Sequence, residues 1–72
     1  MTIIIRSQKG GIVINPKTIF RNETFIETKD VIIADYITPT RAQEVVDDIY
    51  TSINLCVSRG ETAVFTYSMP KE

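Results

Sequence analysis

The sequence predicts a small α+β domain: an antiparallel β-meander of four to five strands, one amphipathic helix packed on the sheet, and one C-terminal strand. Three observations predict it. Short runs rich in Ile, Val and Phe, punctuated by Gly, Asn and Pro, fill the first half of the chain. At Thr38 the apolar period changes from that of a strand to that of a helix, and after Gly60 a further β-branched and aromatic run begins.

Thr2–Arg6 and Ile12–Asn15 read as the two strands of a hairpin, because Gly10-Gly11 supplies the permissive backbone that a tight reversal needs. Asn15-Pro16 breaks the pattern. A strand resumes over Thr18–Arg21, Asn22-Glu23 makes a two-residue turn into Thr24–Thr28, and Lys29-Asp30 reverses the chain again. Val31–Ile37 follows with a nearly continuous apolar middle, which predicts burial on both faces or a covered central position.

Thr38 is suited to cap the helix and Pro39 to its first position, where no amide hydrogen is required; Thr40 with Gln43 offers an alternative capping box. Ala42, Val45, Val46, Ile49, Ile53 and Cys56 recur at spacings of three and four, so they form one stripe that must pack on the sheet. Glu44, Asp47, Asp48 and Ser52 make the opposite, solvated face, whose early acids complement the positive end of the helix dipole. Arg59 comes near the end and Gly60 is the expected left-handed stop. The last strand, Thr62–Tyr67, places Ala63, Phe65 and Tyr67 on one face and ends before Pro70 and the charged pair Lys71-Glu72.

With 72 residues the chain reads as a single domain, 1–72, near the size at which a core barely suffices for independent folding. One cysteine and no histidine exclude an intrachain disulfide and a Cys/His zinc site, so self-association is the expected route to further stability. Eight basic and nine acidic residues are scattered along the chain, leaving no electrostatic footprint for duplex nucleic acid. No apolar run is long enough for a membrane span, and the start lacks the pattern of a secretory signal, which points to the cytosol. Asn22-Glu23-Thr24 matches a glycosylation sequon but is more simply turn chemistry.

Catalytic chemistry finds little footing. Gly10-Gly11 lacks the following helix and the Lys-Ser/Thr of a phosphate-binding loop, although a backbone nest beside Arg6 and Lys9 can hold an anion. Cys56 falls on the apolar stripe with no histidine to activate it, Asp47 and Asp48 point apart, and Glu27, Asp30 and Asp35 match no calcium loop. The reading is therefore a non-enzyme with no metal and no cofactor. Tyr36, Tyr50 and Tyr67 suit a core edge, a homodimer interface or stacking on a base, and Leu55, off the main stripe, joins Tyr50 as a candidate interface residue. Guanidinium forks match phosphates, so Arg6, Arg41 and Arg59 with the tyrosines are candidates for a nucleotide-like anion pocket. The full candidate ligand set is Arg6, Gln8, Lys9, Tyr36, Arg41, Arg59 and Tyr67. Arg6 and Gln8, two apart, are expected on one strand face.

Three segments carry a resemblance. Ile5-Arg6-Ser7-Gln8, the stretch Tyr36–Ile49 with its Tyr, Thr cap, Arg-Ala and Glu-Val-hydrophobic-Asp order, and Met69-Pro70-Lys71 near the end cover about a third of the chain. Together they resemble a family of small proteins encoded by phages and prophages of Firmicutes bacteria. The chain departs from that pattern in lacking a Trp near the start and a Leu-Gly before Tyr36, and in its short connection between helix and last strand. The resemblance implies a phage accessory protein acting in the host cytoplasm. Such proteins often counter anti-phage defence, here either by sequestering an immune nucleotide signal of the cyclic type or by binding a defence protein. The alternative is a small structural or regulatory protein–protein interaction module with no small-molecule ligand.

Overall fold

The computed structural model describes residues 1–29, 31–60 and 63–72. The fold is α+β, with five N-terminal strands in antiparallel pairings, one helix packed against them and a C-terminal strand. The strands are β1 (Thr2–Arg6), β2 (Ile12–Ile14), β3 (Phe20–Asn22), β4 (Phe25–Glu27), β5 (Ile32–Asp35) and β6 (Val64–Ser68); the helix α1 spans Pro39–Ser58. They divide into two three-stranded sheets, β2-β1-β6 and β3-β4-β5. The division begins at Asn15. Its φ of 49° and the following Pro16 turn the chain out of the first sheet, so β3 starts a second one.

In the first hairpin Arg6 pairs with Ile12 and Ile4 with Ile14. Its loop, Gln8-Lys9-Gly10, is closed by the Ser7 amide on the Gly11 oxygen at 2.8 Å and the Gly10 amide on the Ser7 oxygen at 3.1 Å. Gly10 has φ +93°, and the Ser7 Oγ accepts from the Gly11 amide at 2.8 Å. Gly10→Ala is expected to destabilise by about 1 kcal/mol, since a side chain at that φ is strained although nothing obstructs its Cβ; urea unfolding measures it. Asn15, expected as the last residue of the strand, instead closes the hairpin's far end: its Oδ1 accepts from Ile3 N at 2.8 Å and its own amide donates to Ile3 O at 2.7 Å.

β6 joins β1 in parallel, from Thr2 opposite Val64 to Arg6 opposite Ser68. In the second sheet Asn22 pairs with Phe25, so the two-residue turn is Glu23-Thr24, one residue later than the sequence suggests. That register puts Ile26 opposite Arg21 and Ala34, on the core side. Glu23 takes φ 56°, with its carbonyl oxygen held by Arg21 Nη1 at 3.0 Å. β5 is shorter than expected and a bulge lies at Ile26/Glu27, so Ile33 and Ala34 are buried but Ile32 and Ile37 are not. Of the two expectations for Val31–Ile37, burial on both faces holds only at its centre, and a central position does not hold, because β5 lies at the edge of its sheet. Asp30, half of the expected Lys29-Asp30 reversal, and Thr62, the expected start of the last strand, lie outside the described residues.

Thr38 caps α1, its Oγ1 accepting from the Arg41 amide at 3.1 Å, and Pro39 occupies the first position. The alternative box on Thr40 is not used. No acidic residue lies in the first turn, so the expected complement to the helix dipole is missing there. Gly60, at φ +72°, follows the Arg59 cap. The stripe Ala42, Val45, Val46, Ile49 and Cys56 is buried, with Ile53 partly so. It joins Ile5, Ile19, Ile26, Ile33, Tyr36 and Met69, except for Cys56, in one core shared by both sheets.

Candidate functional site

Gln8 is where the two sheets meet. β5 is an edge strand, and the groups it turns away from β4 need partners. The Gln8 amide donates to Ile33 O at 3.1 Å, while the Gln8 Oε1 accepts from Asp35 N at 2.7 Å. One backbone group and one side-chain group thus imitate a neighbouring strand. The Nε2 of the same side chain donates to Pro70 O at 3.0 Å and Lys71 O at 3.3 Å. Gln8 therefore ties the β1–β2 loop to β5 and to the segment that follows β6.

Two further candidates reach the same segment. Tyr36, with its ring in the core, donates its hydroxyl to Pro70 O at 2.7 Å. Burial pushes its hydroxyl pKa upward, against the opposing effects of the Arg41 charge and of a hydrogen bond with Gln8. Arg41, in the first turn of α1, places its guanidinium 5.7 Å from the Tyr36 ring centre and donates from Nε at 3.1 Å and Nη2 at 2.9 Å to the Glu72 main-chain oxygen. Its Nη1 also faces Glu44 at 3.5 Å. Gln8, Tyr36 and Arg41 do converge, and what they hold is the protein's own residues 70–72.

Tyr67 stands nearby on the core face of β6, donating to Asp48 Oδ2 at 2.6 Å. Burial first, and then the Asp48 carboxylate, raise its pKa well above the usual tyrosine value. The folded state therefore keeps protons that the unfolded chain releases above about pH 10, and stability must fall as pH rises past that point. Tyr67→Phe is expected to flatten this alkaline loss, read from urea unfolding at a series of pH values.

The remaining candidates lie apart. Arg6 is exposed and takes the face of Ile12 and Ser68, whereas Gln8, beyond the end of β1, turns in between the sheets; the two do not share a strand face. Lys9 is exposed in the loop, beside a shallow cavity of about 300 Å³ that Ser7, Gln8, Phe25, Ile32 and Asp35 also line. Arg59 caps the far end of α1, about 27 Å from Arg41 at the usual helical rise. Of the candidate interface pair, Tyr50 spends its hydroxyl on Ile19, donating to the oxygen at 2.9 Å and accepting from the amide at 3.4 Å. Leu55 is about half exposed. Among the described residues no group of three His, Cys, Asp or Glu is placed to hold a metal, and no helix is long and apolar enough to cross a membrane. No protein-family model, curated protein or solved structure matches the chain.

Sequence reasoning missed a second surface. The β1 registers put Ile4, Ile12, Ile14 and Val64 on the face of the first sheet opposite Ile5, with Arg6 at one end. Ile12, Ile14 and Val64 remain 56 %, 63 % and 57 % exposed. The runs "TIIIR" and "IVI" carried a signal for it: apolar residues at consecutive strand positions load both faces, and the chain has only one core to cover them.

Proposed function

We propose that this is a non-enzymatic binding protein that engages a protein partner through the outer face and free edge of β2-β1-β6. The observation that carries the reading is the apolar patch of Ile4, Ile12, Ile14 and Val64 on a sheet face away from the core. β2 is an edge strand, and alternation with the β1-facing groups of Gly11 and Asn15 directs the main-chain groups of Ile12 and Ile14 outward, where a partner strand can pair with them. Arg6 is the only charge among these positions, so the fitting surface is apolar with an acid opposite Arg6. In the phage setting that the resemblance implies, the partner is a bacterial defence protein in the host cytoplasm.

The dispersal of Arg6, Arg41 and Arg59, and the use of Gln8, Tyr36 and Arg41 on residues 70–72, support a protein target over an immune nucleotide. The test is the double substitution I12D/I14D. It is expected to abolish partner capture from infected cells while changing stability by no more than about 0.5 kcal/mol, the range for surface changes. Retained capture defeats the reading. Sedimentation of the purified protein runs alongside: a dimer that disappears in I12D/I14D assigns the face to a second copy of the chain instead. Thermal stabilisation by cyclic nucleotides, unaffected by I12D/I14D, favours the nucleotide reading.

A further inference from the structure

Residues 70–72 lie on the protein as a bound peptide would. Met69 is the anchor, buried in the core with its amide on Arg6 O at 2.9 Å. Beyond it the contacts change character. Here the hydrogen bonds run from side chains of the body to the main-chain oxygens of three consecutive residues: Tyr36 Oη and Gln8 Nε2 to Pro70 O, Gln8 Nε2 to Lys71 O, and Arg41 Nε and Nη2 to Glu72 O. The side chains of Lys71 and Glu72 are exposed. Pro70 has no amide hydrogen, so the position nearest the groove presents acceptors only. A row of donors that reads main-chain oxygens does not discriminate between this chain's segment and another's.

We propose that Gln8, Tyr36 and Arg41 form a peptide-binding groove that the protein fills with its own residues 70–72, a strap hinged at Met69. The partner it admits is an extended segment of another protein offering three consecutive main-chain oxygens, beginning at a proline. Lifting the strap leaves Met69 in the core, so the incoming segment has these five bonds to replace, the two to the Pro70 oxygen partly buried and the three to Lys71 and Glu72 exposed. This groove is separate from the outer sheet face, because Gln8 and Tyr36 work on the core side, between the sheets. The own strap competes as an intramolecular ligand, which keeps the groove closed until a partner of sufficient local concentration arrives.

The experiment uses the full chain and an acetylated peptide of residues 68–72 as probe, followed through the nuclear magnetic resonance signals of the Gln8 side-chain amide and the Arg41 Nε–H. Pro70→Gly loosens the strap by enlarging its conformational freedom and leaves the groove residues intact. The expected result is peptide binding several-fold tighter to Pro70→Gly than to the unaltered chain, and weakened when Arg41→Ala is added. Equal binding to both chains, no binding to Pro70→Gly, or indifference to Arg41→Ala overturns the proposal. A second measurement needs no variant: hydrogen exchange at Arg41 Nε–H and the Gln8 side-chain amide is expected to proceed by local opening, insensitive to low denaturant, while the Ile5 and Ile26 amides require global unfolding. Exchange of all four only through global unfolding also overturns it.

Discussion

Ile5→Ala is expected to leave most of the protein unfolded at room temperature. Ile5 is 0 % exposed, in the central strand of β2-β1-β6, and belongs to the core that both sheets share with α1. Truncating a buried isoleucine to alanine costs about 2–5 kcal/mol, through lost transfer energy and the cavity left behind. A core of this size yields only ~3–5 kcal/mol of net stability. The substitution therefore takes most or all of the available margin. Ile5→Val removes a single methylene, costs about 0.5–1.5 kcal/mol and is expected to leave a folded chain with a lower urea midpoint. Circular dichroism and urea unfolding of the pair check this: similar midpoints for both variants would mean that the core is not shared in the way described.

Gln8→Ala comes next, with an expected loss of about 2–3 kcal/mol from three hydrogen bonds between its side chain and main-chain groups, each worth about 1 kcal/mol net and more where the abandoned partner is sheltered from water. The consequence differs in kind from that of a core cavity. Without the Oε1 acceptor Asp35 N loses its partner, and without the Nε2 donor the Lys71 oxygen loses its own while the Pro70 oxygen keeps only the Tyr36 hydroxyl. Gln8→Glu separates the two roles. The acceptor towards Asp35 N survives, but a carboxylate has no hydrogen to donate and faces the Pro70 and Lys71 oxygens with like charge. At neutral pH this variant is expected to be no more stable than Gln8→Ala. Protonating the new carboxyl, below about pH 4, returns a donor and should narrow its gap from the unaltered protein. Unfolding of the three proteins at neutral and acid pH checks the ordering.

Much of the secondary structure was legible because it is local. β1 and the helix cap at Thr38-Pro39 follow from residue types and spacing, and the buried stripe follows from the helical period. The partition into two sheets was not, since it depends on Asn15 adopting a left-handed conformation that its own side chain then stabilises against Ile3. The turn at Glu23-Thr24 moved by one residue because the burial of Ile26 outweighs the turn preference of Asn22. At the site, Arg6, Lys9 and Arg59 lie apart, whereas three of the seven candidate ligand residues, Gln8, Tyr36 and Arg41, gather on one segment. Their target was hidden, because main-chain oxygens have no residue-type signature and Pro70 is 62 positions away from Gln8 in the chain. The outer face of β2-β1-β6 was overlooked for the opposite reason: its isoleucines look like ordinary core until the registers show that Ile5 and Ile4 face opposite ways.

The parallel pairing of β1 with β6 has a consequence for how the molecule comes into being. Thr2 and its partner Val64 are 62 positions apart, so the central strand of the first sheet keeps one side vacant until the helix and β6 have been synthesised. The β1–β2 hairpin can form early and by itself, but docking β6 carries the loop-closure cost of a long separation and is expected to set the pace of folding. During that interval the unmatched side of β1 is open to pairing with another chain.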